Sequence, residues 1–255
     1  MNNTKIELIV CDVEGVIMPP SRGIAQPTEL EALARYCAGV REGNGYPPII
    51  LCTGRQIPYA EAVTQLIGAF FPGYFSVVEN GAFLYDVANN DIEPNPLLTV
   101  EHQKTLAEVR LHTDELIRQH DARKEYGKDA CISLNPPRAV SIVEWFEVVR
   151  DSLTPWREML NVTHSASAVD ITPQGIDKAA GIRAVSERLN IPLHAMLGVG
   201  DTRGDWPMLS IVGIATGPAN ATEDVQKIAH FIAPGEGPTG VAQIIEKYTG
   251  WTSGL

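Results

Sequence analysis

Ile6-Glu7-Leu8-Ile9-Val10-Cys11-Asp12-Val13-Glu14-Gly15-Val16 decides the fold. An apolar run of strand length stops abruptly at two acidic residues spaced by one, with a glycine behind them. Ligands of open α/β sheets bind outside the carboxyl ends of the strands, so Asp12 stands where chemistry takes place and is read as a nucleophile.

Outward from that stretch, strand and helix patterns alternate. A loop with Pro19, Pro20 and Gly23 leads to Pro27, which opens a helix carrying Leu30, Leu33, Ala34 and Cys37 on one face. Ile49–Cys52 reads as a second strand running into Thr53-Gly54-Arg55, followed by a helix with Ala62, Val63, Leu66, Ile67 and Phe70 inward. Phe75–Val78 is a third strand, ending in Glu79-Asn80-Gly81. Strands separated by helices imply right-handed crossovers and a parallel sheet. The pattern then changes. Over 85–170 the sequence predicts a hairpin, a helix from Glu101 to His120, a strand at Ala130–Leu134, a helix with Ile142, Trp145, Phe146, Val149 and Leu153 inward, and a β-rich stretch from Val162 to Ile171. The first pattern resumes at Gly175-Ile176-Asp177-Lys178. It continues through a helix to Leu189, the strand Ala195–Val199, a helix from Trp206 to Ser210, the strand Val212–Ala215, a helix to Ala229, the short strand Phe231-Ile232 and a last helix after Gly240. The expected fold class is therefore α/β: a Rossmann-like parallel sheet core made of 1–84 and 171–255, with an inserted α+β cap domain over 85–170.

Composition narrows the function classes. The 255 residues are 44% hydrophobic, ample for a core, and carry a formal net charge of −11. That balance argues against a nucleic-acid or anionic-membrane partner, whose phosphates reward clustered Lys and Arg. The four cysteines, Cys11, Cys37, Cys52 and Cys131, form no C-x-x-C pair and read as buried thiols in a reducing compartment. With no targeting pattern in Met1–Thr4 and no membrane-length apolar run, a cytoplasmic protein is expected, and the sequons at Asn2, Asn161 and Asn220 read as chance matches.

Four strand ends carry polar groups: Asp12 with Glu14, Thr53, Lys178 ahead of its helix, and Asp201 with Asp205. A parallel sheet brings them to one edge. Carboxylates with oxygen-only partners suit Mg2+, which takes one or two carboxylates plus substrate phosphate and water. A lysine beside them neutralises transferring phosphoryl oxygens, while the Thr53 hydroxyl and Gly54 amide hold the same group. A carboxylate so oriented attacks phosphorus to give an aspartyl-phosphate. Lys178 at a helix start opposes the macrodipole, which favours function over a solvated lysine. Asp205 also reads as the N-cap of the helix that Trp206-Pro207 opens. Other motifs fail. Gly198-Val199-Gly200 has its next glycine one position late for a dinucleotide fingerprint, the loop at 235–240 lacks a P-loop Lys-Ser/Thr, and there is no Gly-x-Ser-x-Gly.

The chain resembles a haloacid dehalogenase superfamily phosphatase with a large cap of the second type, the Cof-like group. The matching pieces are Cys11-Asp12-Val13-Glu14-Gly15-Val16, Thr53-Gly54-Arg55, Glu79-Asn80-Gly81-Ala82, Gly175-Ile176-Asp177-Lys178-Ala179, Gly200 to Leu209 and Pro218-Ala219-Asn220-Ala221. The resemblance implies that Asp12 attacks phosphorus and ligates Mg2+, with Asp201, Asp205 and the Glu14 carbonyl completing the protein's ligands. It implies phosphate binding by Thr53, Gly54 and Lys178, with Arg55, Asn80 and Asn220 nearby. It departs at Glu14, where most such phosphatases carry Asp as the acid that protonates the leaving alcohol. The expected activity is Mg2+-dependent hydrolysis of a small phosphorylated metabolite, of phosphoglycolate or sugar-phosphate type, by a monomer or homodimer. A non-catalytic phosphate-ligand sensor and a phosphotransferase or mutase are the alternatives. Arg123, Lys124, Lys128 and Arg138 in the cap are candidates to meet a carboxylate or second phosphate of the substrate but are read first as surface residues, as are His102, His112 and His120 on or near its first helix.

Overall fold

The computed structural model describes residues 5–20, 23–165 and 167–253. Met1–Thr4, with the reading of no targeting pattern and the sequon at Asn2, lies outside them. In chain order the elements are β1 (Leu8–Cys11), α1 (Pro27–Arg41), β2 (Ile49–Leu51), α2 (Ile57–Ile67), β3 (Ser76–Val78), β4 (Phe83–Asp86), β5 (Asp91–Pro94), α3 (Val100–His120), β6 (Arg123–Lys124), β7 (Ile132–Asn135), α4 (Ile142–Ser152), β8 (Leu160–His164) and β9 (Val169–Pro173). They continue with α5 (Lys178–Leu189), β10 (Met196–Val199), α6 (Trp206–Leu209), β11 (Ile214–Gly217), α7 (Glu223–Gln226), β12 (Phe231–Ile232) and α8 (Gly237–Thr249).

Five strands form a parallel sheet in the order β12-β11-β10-β1-β2. The alternation of side chains along β1 explains why the run is apolar throughout. Ile9 and Cys11 join a core with residues of α1, α2 and α8, while Leu8 and Val10 face the opposite way into a core with Ile182 and Val185 of α5 and Met208 of α6. The sheet is thus covered on both sides, as a mixed α/β fold with a parallel core requires.

β3 meets the end of β2 through a single parallel bridge between Cys52 and Val77, and β4 and β5 add to β3 antiparallel. The hairpin expected from residue 85 therefore begins at Phe83 and extends β3. The four-stranded antiparallel sheet β6-β7-β9-β8 is separate, and it packs with α3 and α4 around Leu106, Val109, Ile132, Leu134, Trp145 and Ile171. Its strands alternate too. Ile132 and Leu134 pair with Ile171 and Val169 and face those helices, whereas Ser133 pairs with Asp170 on the other face.

Several core elements differ from expectation: α2 ends at Ile67, short of Phe70 and with Leu66 exposed where it was expected inward, and α8 begins at Gly237 within the glycine-rich loop. The strand expected at Val212–Ala215 starts two residues later, because the Gly213 amide donates to the Leu193 carbonyl (2.8 Å) and only Ile214 onward is free to join the ladder. The helix expected to reach Ala229 stops at Gln226. Among the described residues, no helix is long and apolar enough to cross a membrane.

Candidate active site

Each strand-end group is placed by the backbone that precedes it. Asp12 follows β1, Thr53 lies just beyond β2, and Asp201 follows β10, so parallel pairing carries all three to one edge. Lys178 is the first residue of α5, behind an Asp177 cap whose side chain accepts from the Ala180 amide (2.8 Å). Its Nζ donates to Asp12 Oδ1 (2.7 Å) and to Asp205 Oδ1 (2.6 Å). Asp205 is completely buried. Its other oxygen accepts from the Asp201 and Thr202 amides, both at 3.0 Å. Asp205 thus caps backward onto the turn before it. No side-chain cap holds α6, because the remaining carboxylate oxygen is committed to Lys178.

Oxygens of Asp12, Asp201 and Asp205 lie within 4.8 Å of one another, and all three side chains are buried. Three carboxylates therefore face one ammonium. Burial, and then the neighbouring Asp205 charge, push the Asp12 carboxyl well up against the opposing pull of Lys178. Burial, Asp205 and Asp12 push Asp201 up to about 8. Burial by itself would lower the Lys178 ammonium, but Asp12 and Asp205 outweigh it and hold it well above its ordinary value. One buried oxygen, Asp201 Oδ1, has no hydrogen-bond partner. An excess of hard oxygen donors with one acceptor unspent is what a Mg2+-sized cation fits, and Asp12, Asp201 and Asp205 are the residues that would hold it. Gly15, at φ +81°, is required here: a Cβ would sit 2.0 Å from Asp201 Oδ2.

The other predicted residues occupy different positions around this centre. Thr53 is buried, and its Oγ1 accepts from the Arg55 amide (3.1 Å). Asn80, in the left-handed region at φ 56°, lies against Gly54, with its Oδ1 2.7 Å from where a Cβ of Gly54 would stand. Asn220 braces loops: its Nδ2 donates to the Gly15 carbonyl (2.8 Å) and its Oδ1 accepts from the Gly237 amide (2.9 Å). Glu14 is turned to Arg55, which donates to both its oxygens, from Nε to Oε2 at 2.7 Å and from Nη2 to Oε1. That fork is the strongest of the Arg–carboxylate geometries and holds the longer Glu side chain in one place.

Arg55 also reaches the four-stranded unit, with Nη1 3.6 Å from Glu125 Oε1. From there a chain of charges continues. Lys128 Nζ lies 3.1 Å from Glu125 and 3.7 Å from Asp170, and it donates to Ser133 Oγ at 2.6 Å. Ser133 in turn donates to Asp170. Lys128, expected at the surface, is only 7% exposed, held among Glu125, Ser133 and Asp170 on the polar face of β7 and β9. Lys124 instead pairs with Asp114, and Arg138 is exposed. His112 is half-buried beside Trp156, and His102 completes a capping box at the start of α3.

Sequence reasoning passed over Glu79. It is 1% exposed, sits at φ 49°, and accepts from the amides of Asp129, Ala130 and Cys131 at 2.7–3.2 Å. Burial raises its carboxyl, and the Ala130 and Asp129 amides oppose that rise. A core carboxylate thus docks onto three successive amides of the four-stranded unit. The only local signal was an acidic residue in the turn after a strand.

Residues 132–245 match the family model described as haloacid dehalogenase-like hydrolase. Over that part the chain is similar to haloacid dehalogenase-like hydrolases. A phosphoglycolate phosphatase of Methanopyrus kandleri is 26% identical over 241 residues, covering 94% of this chain and 96% of that one. A 5-amino-6-(5-phospho-D-ribitylamino)uracil phosphatase of Bacillus subtilis is 21% identical, covering 95% and 96%. Both of these relatives are phosphatases, and each is matched along nearly its whole length. Its fold matches that of Thermoplasma acidophilum 0175 with a TM-score of 0.75 at 20% identity, covering 96% of this chain and 98% of that one. It also matches the sucrose-phosphatase of Synechocystis with a TM-score of 0.68 at 17% identity, covering 96% and 98%.

Proposed function

We propose that this phosphatase is a Mg2+-dependent phosphomonoesterase that hydrolyses a small organic phosphate through an aspartyl-phosphate on Asp12. The observation that carries the reading is the buried Lys178 bridging Asp12 and Asp205 beside the unpartnered oxygen of Asp201. When bound, the cation neutralises charge on the carboxylates and on the phosphoryl oxygens. Lys178 holds one Asp12 oxygen, leaving the other to attack phosphorus. As the bond from Asp12 to phosphorus forms, the bond to the ester oxygen breaks, and Glu14 delivers its proton to the departing alkoxide. Glu14 then takes a proton from the water that attacks the aspartyl-phosphate, releasing inorganic phosphate and regenerating Asp12. Thr53 and the Gly54 amide are assigned to the phosphoryl oxygens, and Arg55 fixes the Glu14 carboxyl. The four-stranded unit serves as the cap that covers the leaving group and keeps bulk water out.

The test is phosphate release from p-nitrophenyl phosphate with and without Mg2+, alongside Asp12→Asn. Metal-dependent turnover that the variant loses is expected. No metal-dependent turnover across a broad panel of phosphate esters would remove the reading.

A further inference from the structure

Residues 79–81 form a turn whose three members all stand in the left-handed region, at φ 49° for Glu79, 56° for Asn80 and 102° for Gly81. Glycine adopts that backbone freely, but two residues with side chains do so in succession only where their surroundings hold them. The turn touches three parts of the molecule. Toward the loop after β2, the Glu79 amide donates to the Arg55 carbonyl (3.0 Å) and the Asn80 amide to the Thr53 carbonyl (3.1 Å), so both ends of Thr53-Gly54-Arg55 are fixed by it. Toward α5, Gly81 lies so close to the Asp177 carbonyl that a Cβ would stand 1.9 Å from that oxygen, one residue ahead of Lys178. Toward the four-stranded unit, the buried Glu79 carboxylate accepts from the amides of Asp129, Ala130 and Cys131. Three amides converging on one carboxylate are charge-assisted contacts, and their geometry is lost if Glu79 turns to a negative φ.

We propose that Glu79 is a positioning residue: by seating its carboxylate on the 129–131 amides it holds the left-handed 79–81 turn, and through that turn the four-stranded unit sets the placement of Thr53, Gly54 and Lys178 around the phosphoryl group. The inference rests on the proposed phosphatase reaction, in which those three residues meet phosphate. A negative φ at residue 79 would swing the two amides off the Arg55 and Thr53 carbonyls and draw Gly81 away from the start of α5. A glycine at 79 would lack the carboxylate yet keep the left-handed turn unaided, whereas an alanine would lack the one and resist the other.

The test compares Glu79→Ala with Glu79→Gly by the Kd of inorganic phosphate, measured by calorimetry with Mg2+, and by kcat/KM on p-nitrophenyl phosphate. Glu79→Ala is expected to weaken phosphate binding by about tenfold or more and to lower kcat/KM by a similar factor, since donors moved out of place lose much of their hold on the phosphoryl oxygens. Glu79→Gly is expected to bind phosphate about threefold or more tighter than Glu79→Ala, while hydrogen exchange at 129–131 speeds up in both. A residue that served stability alone would lower the melting temperature in both variants and leave the phosphate affinity of the folded protein where it was. If Glu79→Ala does not fold, Glu79→Gln, which keeps the shape of the side chain, takes its place with the same order expected. Two results would overturn the inference: phosphate affinity and kcat/KM unchanged in the folded variant, or Glu79→Gly binding phosphate no better than the variant it is compared with. In both cases the unmodified protein still hydrolyses p-nitrophenyl phosphate. An unmodified protein that neither binds phosphate nor hydrolyses any ester instead removes the phosphatase reading, and this inference with it.

Discussion

Two polar clusters meet at Arg55 and Glu14, and their charge arithmetic is opposite. In the candidate active-site cluster one ammonium, Lys178, faces the three carboxylates of Asp12, Asp201 and Asp205, and one of their oxygens has no partner. In the cluster under the four-stranded sheet, Lys128 and Arg55 alternate with Glu125 and Asp170, and each charge has an opposite neighbour. The first arrangement is costly unless a cation completes it, since crowded buried carboxylates resist ionisation. The second is matched within itself and leaves no charge in need of a further ion. The difference separates a cluster left open to a further cation from one already neutralised within the fold.

The contrast can be broken most sharply at Asp12. Asp12→Asn keeps the shape but removes the nucleophile, and kcat on p-nitrophenyl phosphate should fall by at least about 10³-fold. Lys178→Met removes the only ammonium of the unbalanced cluster. Turnover should drop by roughly 10²–10³-fold, and the protein's urea midpoint should fall unless Mg2+ is supplied. A midpoint that rises without metal would mean that the three carboxylates are not mutually repelling.

Proton linkage offers a milder test of the same cluster. Asp201 is pushed up to about 8 in the folded state, whereas an unfolded aspartate titrates near its ordinary value of roughly 4. Between those values the folded chain holds a proton that the unfolded chain has lost. Without metal, stability should therefore decline as pH rises through that window and level off above it. Mg2+ at about a hundred times its Kd should raise the melting temperature at pH 8 by roughly 5–10 °C, and the same concentration should raise it by less at pH 6, where Asp201 keeps its proton. Equal shifts at the two pH values would argue against a cation competing with protons here.

Glu79 ties the two clusters together through the backbone of 129–131. Glu79→Gln keeps one acceptor but sets an amide donor against an N–H, which should cost about 1–3 kcal/mol in denaturant unfolding. Faster hydrogen exchange at the amides of Asp129, Ala130 and Cys131 would mark the lost contact. The smallest change expected is in Glu14→Asp. Arg55 can follow a carboxylate one methylene shorter, and turnover should remain within about tenfold, because most of the acid–base contribution survives. Complete loss, with the fold intact, would mean that the fork to Arg55 needs the longer side chain.

The fold class and the polar groups gathered at the candidate site were legible in the sequence because their signals are local. A strand apolar at nearly every position announces burial on both faces, and a carboxylate directly after it is carried to the sheet edge by backbone geometry alone. Even the antagonism between Lys178 and its helix dipole was visible in four residues. Pairing over distance was not. Lys178 and Asp12 are 166 positions apart, and Glu79 reaches Ala130 across 51. Nothing in Lys128 and its neighbours distinguishes a buried, fully matched cation from a solvated one. Asn220 looked like a ligand-facing residue by its motif, and its amide is spent on the Gly15 and Gly237 backbones. The sequence by itself determined which groups stand at the strand ends and therefore what chemistry is present. Only the tertiary structure decided which charges are already neutralised and which are left open, because electrostatic pairing depends on separation in space and on burial, and neither is encoded within a short stretch of chain.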